Sequence, residues 1–410
     1  MRRSLSARLR HIFPPSKSKI DYFFSLLLNG PFILLSELTY IVWPKKSGRK
    51  WIFSLDFHAS VTNDLNTLFQ AKKVKLVRRV ISFHNRHFRR VFRLADPNPG
   101  VNSKNWRRFS ERDVVWFQKV HTLLFGRMDG FLVSYPTSFV RLYLALGKPI
   151  LVVNPIRYEH PFSNRHSEWS AIDEELKSKI RDGAITFIAN NQADADYAGH
   201  SLGIQIPVAP SLCDYVGLQW NQQNDSRLTY SHYTTIDTEL EEHSRSRWRG
   251  LRVVLGKSFS WKKLLAIEEL FYVPYAPSTM MLFEAATAGL PVAIPTLDFI
   301  NELRTRHPGV FSQLTFNQMT QTLPPHGKRW VATNYEDWRP YSEWWYSRSD
   351  FTNTELMPNV RLVGSFEQLM EEPSVPSRVG LENYRRTVEL RNKHVRAQAL
   401  LTYEPFLKNL

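Results

Sequence analysis

Cysteine is nearly absent: Cys213 is the single one in 410 residues. No intramolecular disulfide can form and no CxxC pair can hold zinc, so the folded part needs no oxidising compartment. In "APSLCDY" Cys213 reads as a small buried residue rather than a nucleophile. HExxH, Walker, GxSxG and GxGxxG motifs are also missing, which removes the usual support for a peptidase, a P-loop NTPase or a dinucleotide dehydrogenase. There is no internal repeat and no low-complexity tract. Acidic residues are the scarce charge, 38 against 54 basic ones, for a formal net charge of +16. Such a surplus attracts polyanions: nucleic acid, anionic lipid headgroups or phosphorylated substrates.

The chain has one long apolar run, "YFFSLLLNGPFILLSELTYIVW" (Tyr22 to Trp43), with basic residues on both flanks. A cleaved signal peptide fits poorly, because the run is long, broken by Asn29, Gly30 and Pro31, and ends at bulky Trp43. Two basic flanks favour a helix lying in the membrane interface, or a re-entrant hairpin, on the cytosolic side. A single span with a lumenal folded part (type II) is the alternative, and a helix pair packed on the protein's own core is another. Residues 1–50 are therefore set apart as a membrane-associating segment.

From Trp51 onward, short β-rich runs alternate with helical stretches. "WIFSLDFH", "RRVISFH" (Arg78 to His84), "GFLVSYP", "PILVVNP" and "AITFIANN" read as buried parallel strands, with "SFVRLYLALG" and "SEWSAIDEELKSKIRDG" as helices between them. The pattern breaks after Pro210 and restarts with "LTYSHY", "LRVVLG", "LFYVPY", "LPVAIPT" and "VRLVGSF". The expected fold class is α/β, with two Rossmann-like domains in tandem over 51–210 and 211–376. A helix over 377–410, with no strand after it, is expected to cross back onto the first domain.

Chemistry is sought where the strands end, because open parallel sheets bind ligands there. In "VPYAPSTMMLFEAATAGLPV" a strand runs through Ser278 and Thr279 into a helix, whose free N–H groups and partial positive charge suit a phosphate. Glu284 lies one to two turns further, placed to accept hydrogen bonds from ribose hydroxyls, and Gly289 ends the helix. The stretch "EAATAGLPV", Glu284 to Val292, resembles the GT-B glycosyltransferases, whose second domain carries a Glu followed by A-x-G-x-P-V. The resemblance implies that Glu284 holds the ribose of a nucleotide-sugar donor and that Ser278 and Thr279 hold its diphosphate. Many retaining members carry a second Glu where this chain has Ala276.

The stretch "LDFHASVTNDL" offers Asp56 and His58 on the loop after the first strand and Asp64 in the helix that follows. The resemblance implies that it faces the cleft and supplies the base that deprotonates the acceptor; His58 has the intrinsic pKa for this work, with Asp56 or Asp64 to orient it. A capping aspartate beside an ordinary histidine is the other reading. "NPIRYEHP" offers Arg157, either for an anionic group or as a surface ion pair with Glu159. "ANNQADADY" places Asn190 and Asn191 at a helix start. Lys257 is the candidate positive charge for the leaving diphosphate, in competition with Lys262 and Lys263. "HNRHFRRVFR" (His84 to Arg93) suits anionic lipid as well as nucleic acid and lies in no recognised nucleic-acid module, so no nucleic-acid partner is expected. "WRPYSEWWYSRSDF" (Trp338 to Phe351) either stacks a sugar or lipid, or packs.

The resulting expectation is a membrane-associated, metal-independent glycosyltransferase with no cofactor. It would take a nucleotide-sugar donor and a glycan or lipid-linked acceptor at an anionic membrane surface, in cell-surface polysaccharide or glycoconjugate synthesis. A sugar-nucleotide epimerase of the same fold and a non-catalytic, polyanion-binding scaffold are the alternatives.

Overall fold

The computed structural model describes residues 48–57, 59–81, 100–102, 105–162, 166–223, 227–231, 251–255, 260–312, 339–371 and 378–410, and positions 42, 236 and 238 singly. Apart from Val42, the apolar N-terminal run lies outside these residues, as do His58, Lys257, "HNRHFRRVFR" and Trp338. Among the described residues no helix is long and apolar enough to cross a membrane.

Among the described residues ten strands form two five-stranded sheets, parallel throughout. The first holds β1 (Lys50–Asp56), β2 (Val74–Val80), β3 (Gly130–Val133), β4 (Ile150–Asn154) and β5 (Ile185–Ala189), in the order β2-β1-β3-β4-β5. Its helices are α1 (Ala59–Gln70), α2 (Glu111–Val120), α3 (Thr122–Arg127), α4 (His166–Arg181) and α5 (Gln192–Leu202). The second holds β6 (Arg227–Ser231), β7 (Leu251–Leu255), β8 (Glu269–Tyr272), β9 (Val292–Pro295) and β10 (Val360–Val363), in the order β10-β9-β8-β6-β7. With it run α6 (Trp261–Leu264), α7 (Met280–Ala288), α8 (Leu297–Arg306), α9 (Arg339–Tyr346), α10 (Phe366–Glu371) and α11 (Arg378–Lys408). Read from its other edge, the second sheet repeats the order of the first. Each therefore has one switch point, between β1 and β3 and between β6 and β8.

Near-continuous apolar runs form these strands because both faces are covered. Side chains alternate between faces. Trp51, Phe53 and Leu55 of β1, Phe131 and Val133 of β3, and Ile150 and Val152 of β4 enter the large core that continues into the second domain. Ile52, Leu132, Leu151 and Val153 enter a smaller core with Leu65, Leu68 and Phe69 of α1 and Ala399, Tyr403 and Phe406 of α11. The long last helix thus belongs to both domains: Tyr384 donates to the Gly289 carbonyl at 3.0 Å, while Tyr403 meets Phe69 edge-on at 5.3 Å.

Two local expectations are corrected. The second strand is "VKLVRRV", four residues earlier than "RRVISFH", because it pairs from Lys50↔Val74 onward and buries Val74, Leu76, Val77 and Val80. "SFVRLYLALG" is not an amphipathic α-helix but two 3-10 turns, Thr137–Leu142 and Leu144–Leu146. Phe139, Val140, Leu142 and Tyr143 are all buried there, a wider apolar face than one stripe of a regular amphipathic helix covers.

Candidate active site

The carboxyl ends of the two sheets meet. After β8 the chain passes through Val273–Ser278 into α7, whose N-cap is Thr279 with extended backbone. The Thr279 side chain makes no capping bond; its Oγ1 accepts from the Tyr272 hydroxyl at 3.3 Å. The start of α7 therefore keeps its anion-attracting end free of a side-chain cap. Glu284 follows five residues on, roughly 7.5 Å along the axis at 1.5 Å per residue. Ala285, Ala286 and Ala288 are buried, so α7 packs close while Glu284 looks toward the interdomain linker. There Tyr215 donates its hydroxyl to Glu284 Oε1. Burial raises the Glu284 carboxyl to about 7; the Tyr215 bond opposes the rise and Asp64 adds to it.

Asp64, the other acid set beside His58 by the sequence, is engaged with the linker, while His58 itself lies outside the described residues. From α1 its carboxylate accepts from the Leu212 N–H at 3.1 Å and the Cys213 N–H at 2.6 Å, so it clamps the linker to the first domain. Burial lifts its pKa to about 6 against those backbone bonds. Cys213 is fully buried with φ +59 and its thiol is pushed up by burial, which fits a packing residue and not a nucleophile. On the far side of the linker stands Arg391 of α11, donating to the Leu356 carbonyl at 2.8 Å and to Thr287 Oγ1 at 3.0 Å. Thr287 in turn donates to the Leu212 carbonyl. Helices from both domains and α11 thus grip residues 212–215.

Arg157 was open between an anion site and a surface ion pair with Glu159; the structure shows it 1% exposed, deep in the seam. Its guanidinium lies over the Trp345 ring of the second domain at 5.1 Å and its Nη1 is 3.5 Å from Asp194 Oδ1. Glu159 instead accepts from Tyr197 at 2.6 Å, and burial carries its pKa to about 7. Asn191 is the N-cap of α5, accepting from the Asp194 N–H, and its Nδ2 donates to Asn190 Oδ1 at 2.8 Å and Asp194 Oδ2 at 2.9 Å. Asn190 faces Ser211 and Met280, so it reaches the start of α7. Opposite lies Asp350, which takes the Ser278 hydroxyl and is driven to about 8 by burial. Arg157 Nε, Glu159 Oε2 and Asp350 Oδ2 are buried without hydrogen-bond partners, and Arg157 Nη1 and Asp194 Oδ1 have only their 3.5 Å ion pair with each other. Unmet capacity of this density, donors and acceptors together, gathers where a polar ligand or water belongs.

The seam thus brings together Ser278, Thr279, Glu284, Arg157, Asn190 and Asn191. Asp56 stands apart at the first switch point, where its Oδ2 accepts from the Ser134 N–H at 3.0 Å, the Ser134 hydroxyl and the Tyr135 N–H at 3.1 Å. This ties the exit of β3 to β1. Beside it Phe57, Trp106, Tyr135 and His160 stack, with Tyr135 Oη 2.6 Å from His160 Nδ1. Lys262 and Lys263 are exposed on α6. Sequence reasoning missed Tyr215, Asp350, Trp345 and Arg391, whose partners are remote in the chain; only the aromatic density of "WRPYSEWWYSRSDF" marked two of them.

No protein-family model matches the chain, and no curated protein does. Among solved structures it is similar to the glycotransferase of kitacinnamycin, at 11% identity and a TM-score of 0.41, over 87% of this chain and 99% of that one. It is similar also to the glycosyltransferase SnogD from Streptomyces nogalater, at 11% identity and a TM-score of 0.42, over 88% and 100%. A third is the wall teichoic acid polymerase TagF, at 8% identity and a TM-score of 0.38, over 95% and 98%. The strand order of the two sheets, and not these distant likenesses, fixes the fold. It is two Rossmann-like α/β domains, each with one switch point in its sheet.

Proposed function

We propose that the chain is a glycosyltransferase that moves a sugar from a nucleotide-activated donor, held mainly by the second domain, to a glycan or lipid-linked acceptor. The observation that carries this reading is the α7 unit. An anion-attracting helix start without a side-chain cap is followed at ribose distance by a half-buried carboxylate, and the whole faces the carboxyl end of a second sheet. Ionised Glu284 accepts from the ribose hydroxyls, while Ser278, Thr279 and the first N–H groups of α7 take the diphosphate. The unmatched donors and acceptors around Arg157 and Asp350 suit the hydroxyls of the transferred sugar. Lys257 as the charge on the leaving group, His58 as the acceptor's base, metal independence and membrane attachment through residues 1–50 belong to the same proposal.

The test is thermal unfolding of the full chain with nucleoside diphosphates and nucleotide sugars, wild type beside Glu284→Ala. A ligand at about 100 times its Kd adds roughly 2.7 kcal/mol. Stabilisation by one base class, lost in the variant, is the expected result. No stabilisation by any nucleotide sinks the reading.

A further inference from the structure

A cleft of about 510 Å³ opens where α5, the segment 204–208, the end of α9 and α11 converge. It lies past the edge strand β5, where Val208 bridges Ala189, on the outward face of α5 rather than at Glu284. Its volume falls in the range of about 300–1,000 Å³ typical of small-molecule sites. The chemistry of its lining is specific. Gln192, Gln205 and Gln398 bring amides that both donate and accept; Asp196 accepts, and Arg348 donates. Beneath them the floor is apolar, from Ala195, Ile206 and Pro207. Gly199 keeps that floor flat, because a Cβ there would stand 2.7 Å from the Ile204 carbonyl oxygen.

We propose that this cleft binds a neutral saccharide. Asp196 and Arg348 in its lining cancel in a 3.0 Å ion pair, which leaves the imidazole of His200 as the one further titratable group among the described residues of that lining. A phosphate or carboxylate therefore finds no net attraction here despite the charge of +16 on the chain. Gln192 already donates to Asp196 at 2.5 Å, but a purely apolar ligand would cover the Gln205 and Gln398 amides without pairing them. Hydroxyl-rich rings satisfy both halves: adjacent hydroxyls match planar, two-pronged groups such as an amide, a carboxylate or a guanidinium, and the C–H faces of the ring lie on the apolar floor. The site is preorganised, since Arg348 is held over the Trp344 ring at 4.4 Å while its Nε reaches Asp196. Asp196 belongs to the first domain and Arg348 to the second, so an occupant also bridges the seam. This inference does not depend on the donor reading.

Saturation-transfer NMR on the full chain with cellobiose, lactose and chitobiose tests it, with inorganic phosphate and uridine diphosphate as competitors. At least one disaccharide should bind. The Gln205→Ala/Gln398→Ala double variant, which alters exposed side chains only, should weaken that binding by roughly tenfold through two lost hydrogen bonds. Arg348→Ala should weaken it as well, and neither anion should compete. Absence of transfer at millimolar disaccharide, equal binding by wild type and both variants, or displacement by phosphate would each overturn the proposal. Nucleotide stabilisation, measured separately without saccharide, shows whether the donor reading stands or falls by itself.

Discussion

At the scale of single residues, Glu284 makes the most direct prediction. Burial places its carboxyl near 7, and only the ionised form accepts from two ribose hydroxyls. Donor affinity should therefore fall as pH drops through 7, by about tenfold between pH 8 and pH 6, in step with the ionised fraction. A nucleotide sugar is the right probe, because its diphosphate does not titrate in that range. Glu284→Gln should bind weakly with a flat profile; a wild-type profile equally flat would show that Glu284 does not touch the ligand. The placement of Glu284, Ser278 and Thr279 was legible in the sequence because their relation is local, a strand end, a helix start and a spacing of five. Asp64 was not, since the N–H groups it accepts from lie up to 149 residues away. Arg157 stayed open between two readings for the same reason: only the cover of Trp345, from the other domain, excludes the surface ion pair with Glu159. Asp350 was marked only by the aromatic stretch around it, and Arg391 carried no sign, because burial alone gives both their character.

Among elements, all ten strands were legible, since a run of Val, Ile, Leu and Phe bounded by turn residues has few other uses in an alternating α/β chain. The ends were less so: β2 begins at Val74 because pairing with β1, and not local apolarity, sets its register. The turns at Thr137–Leu146 escaped because helical periodicity does not distinguish an α-helix from a buried 3-10 segment. The α7–β9 joint was read correctly from Gly289, which ends α7 at φ +71. A Cβ there would meet Val388 Cγ1 of α11 at 3.4 Å in addition to the backbone strain. Gly289→Ala should then lower stability by about 1–2 kcal/mol, seen as a shifted urea midpoint with unchanged slope. Gly126→Ala in α3, where nothing lies within 4 Å of the added Cβ, should raise it by about 0.5–1 kcal/mol. Equal effects of the two would remove the case for a left-handed cap.

For the whole molecule, the decisive feature is that the domains meet through acids held in a buried seam. Glu159 stands at about 7 against an ordinary 4.5, and Asp350 at about 8 against 3.8; Asp194 is raised too. The charged groups facing them are Arg157 from the first domain and Arg391 from α11, with Tyr197 and Ser278 as hydrogen-bond donors. A carboxyl raised in the folded state binds its proton there at a pH where the unfolded chain has released it. Folding then loses stability as pH rises. For Asp350 the full contribution is present below about pH 4, is lost progressively up to about pH 8, and changes no further above that. Overall charge also varies with pH, so the useful quantity is the difference between Asp350→Asn and wild type, in which the rest cancels. Asparagine keeps an oxygen for the Ser278 hydroxyl and never ionises. The variant should gain on wild type between pH 5 and pH 8 by at most about 1.4 kcal/mol per unit, and the gap should level off beyond. Urea unfolding at a series of pH values measures it. A gap that stays constant would mean that Asp350 is ionised throughout, with the Arg391 charge outweighing its burial. The seam would then be held by charge pairs, and stability would not favour closing it at lower pH.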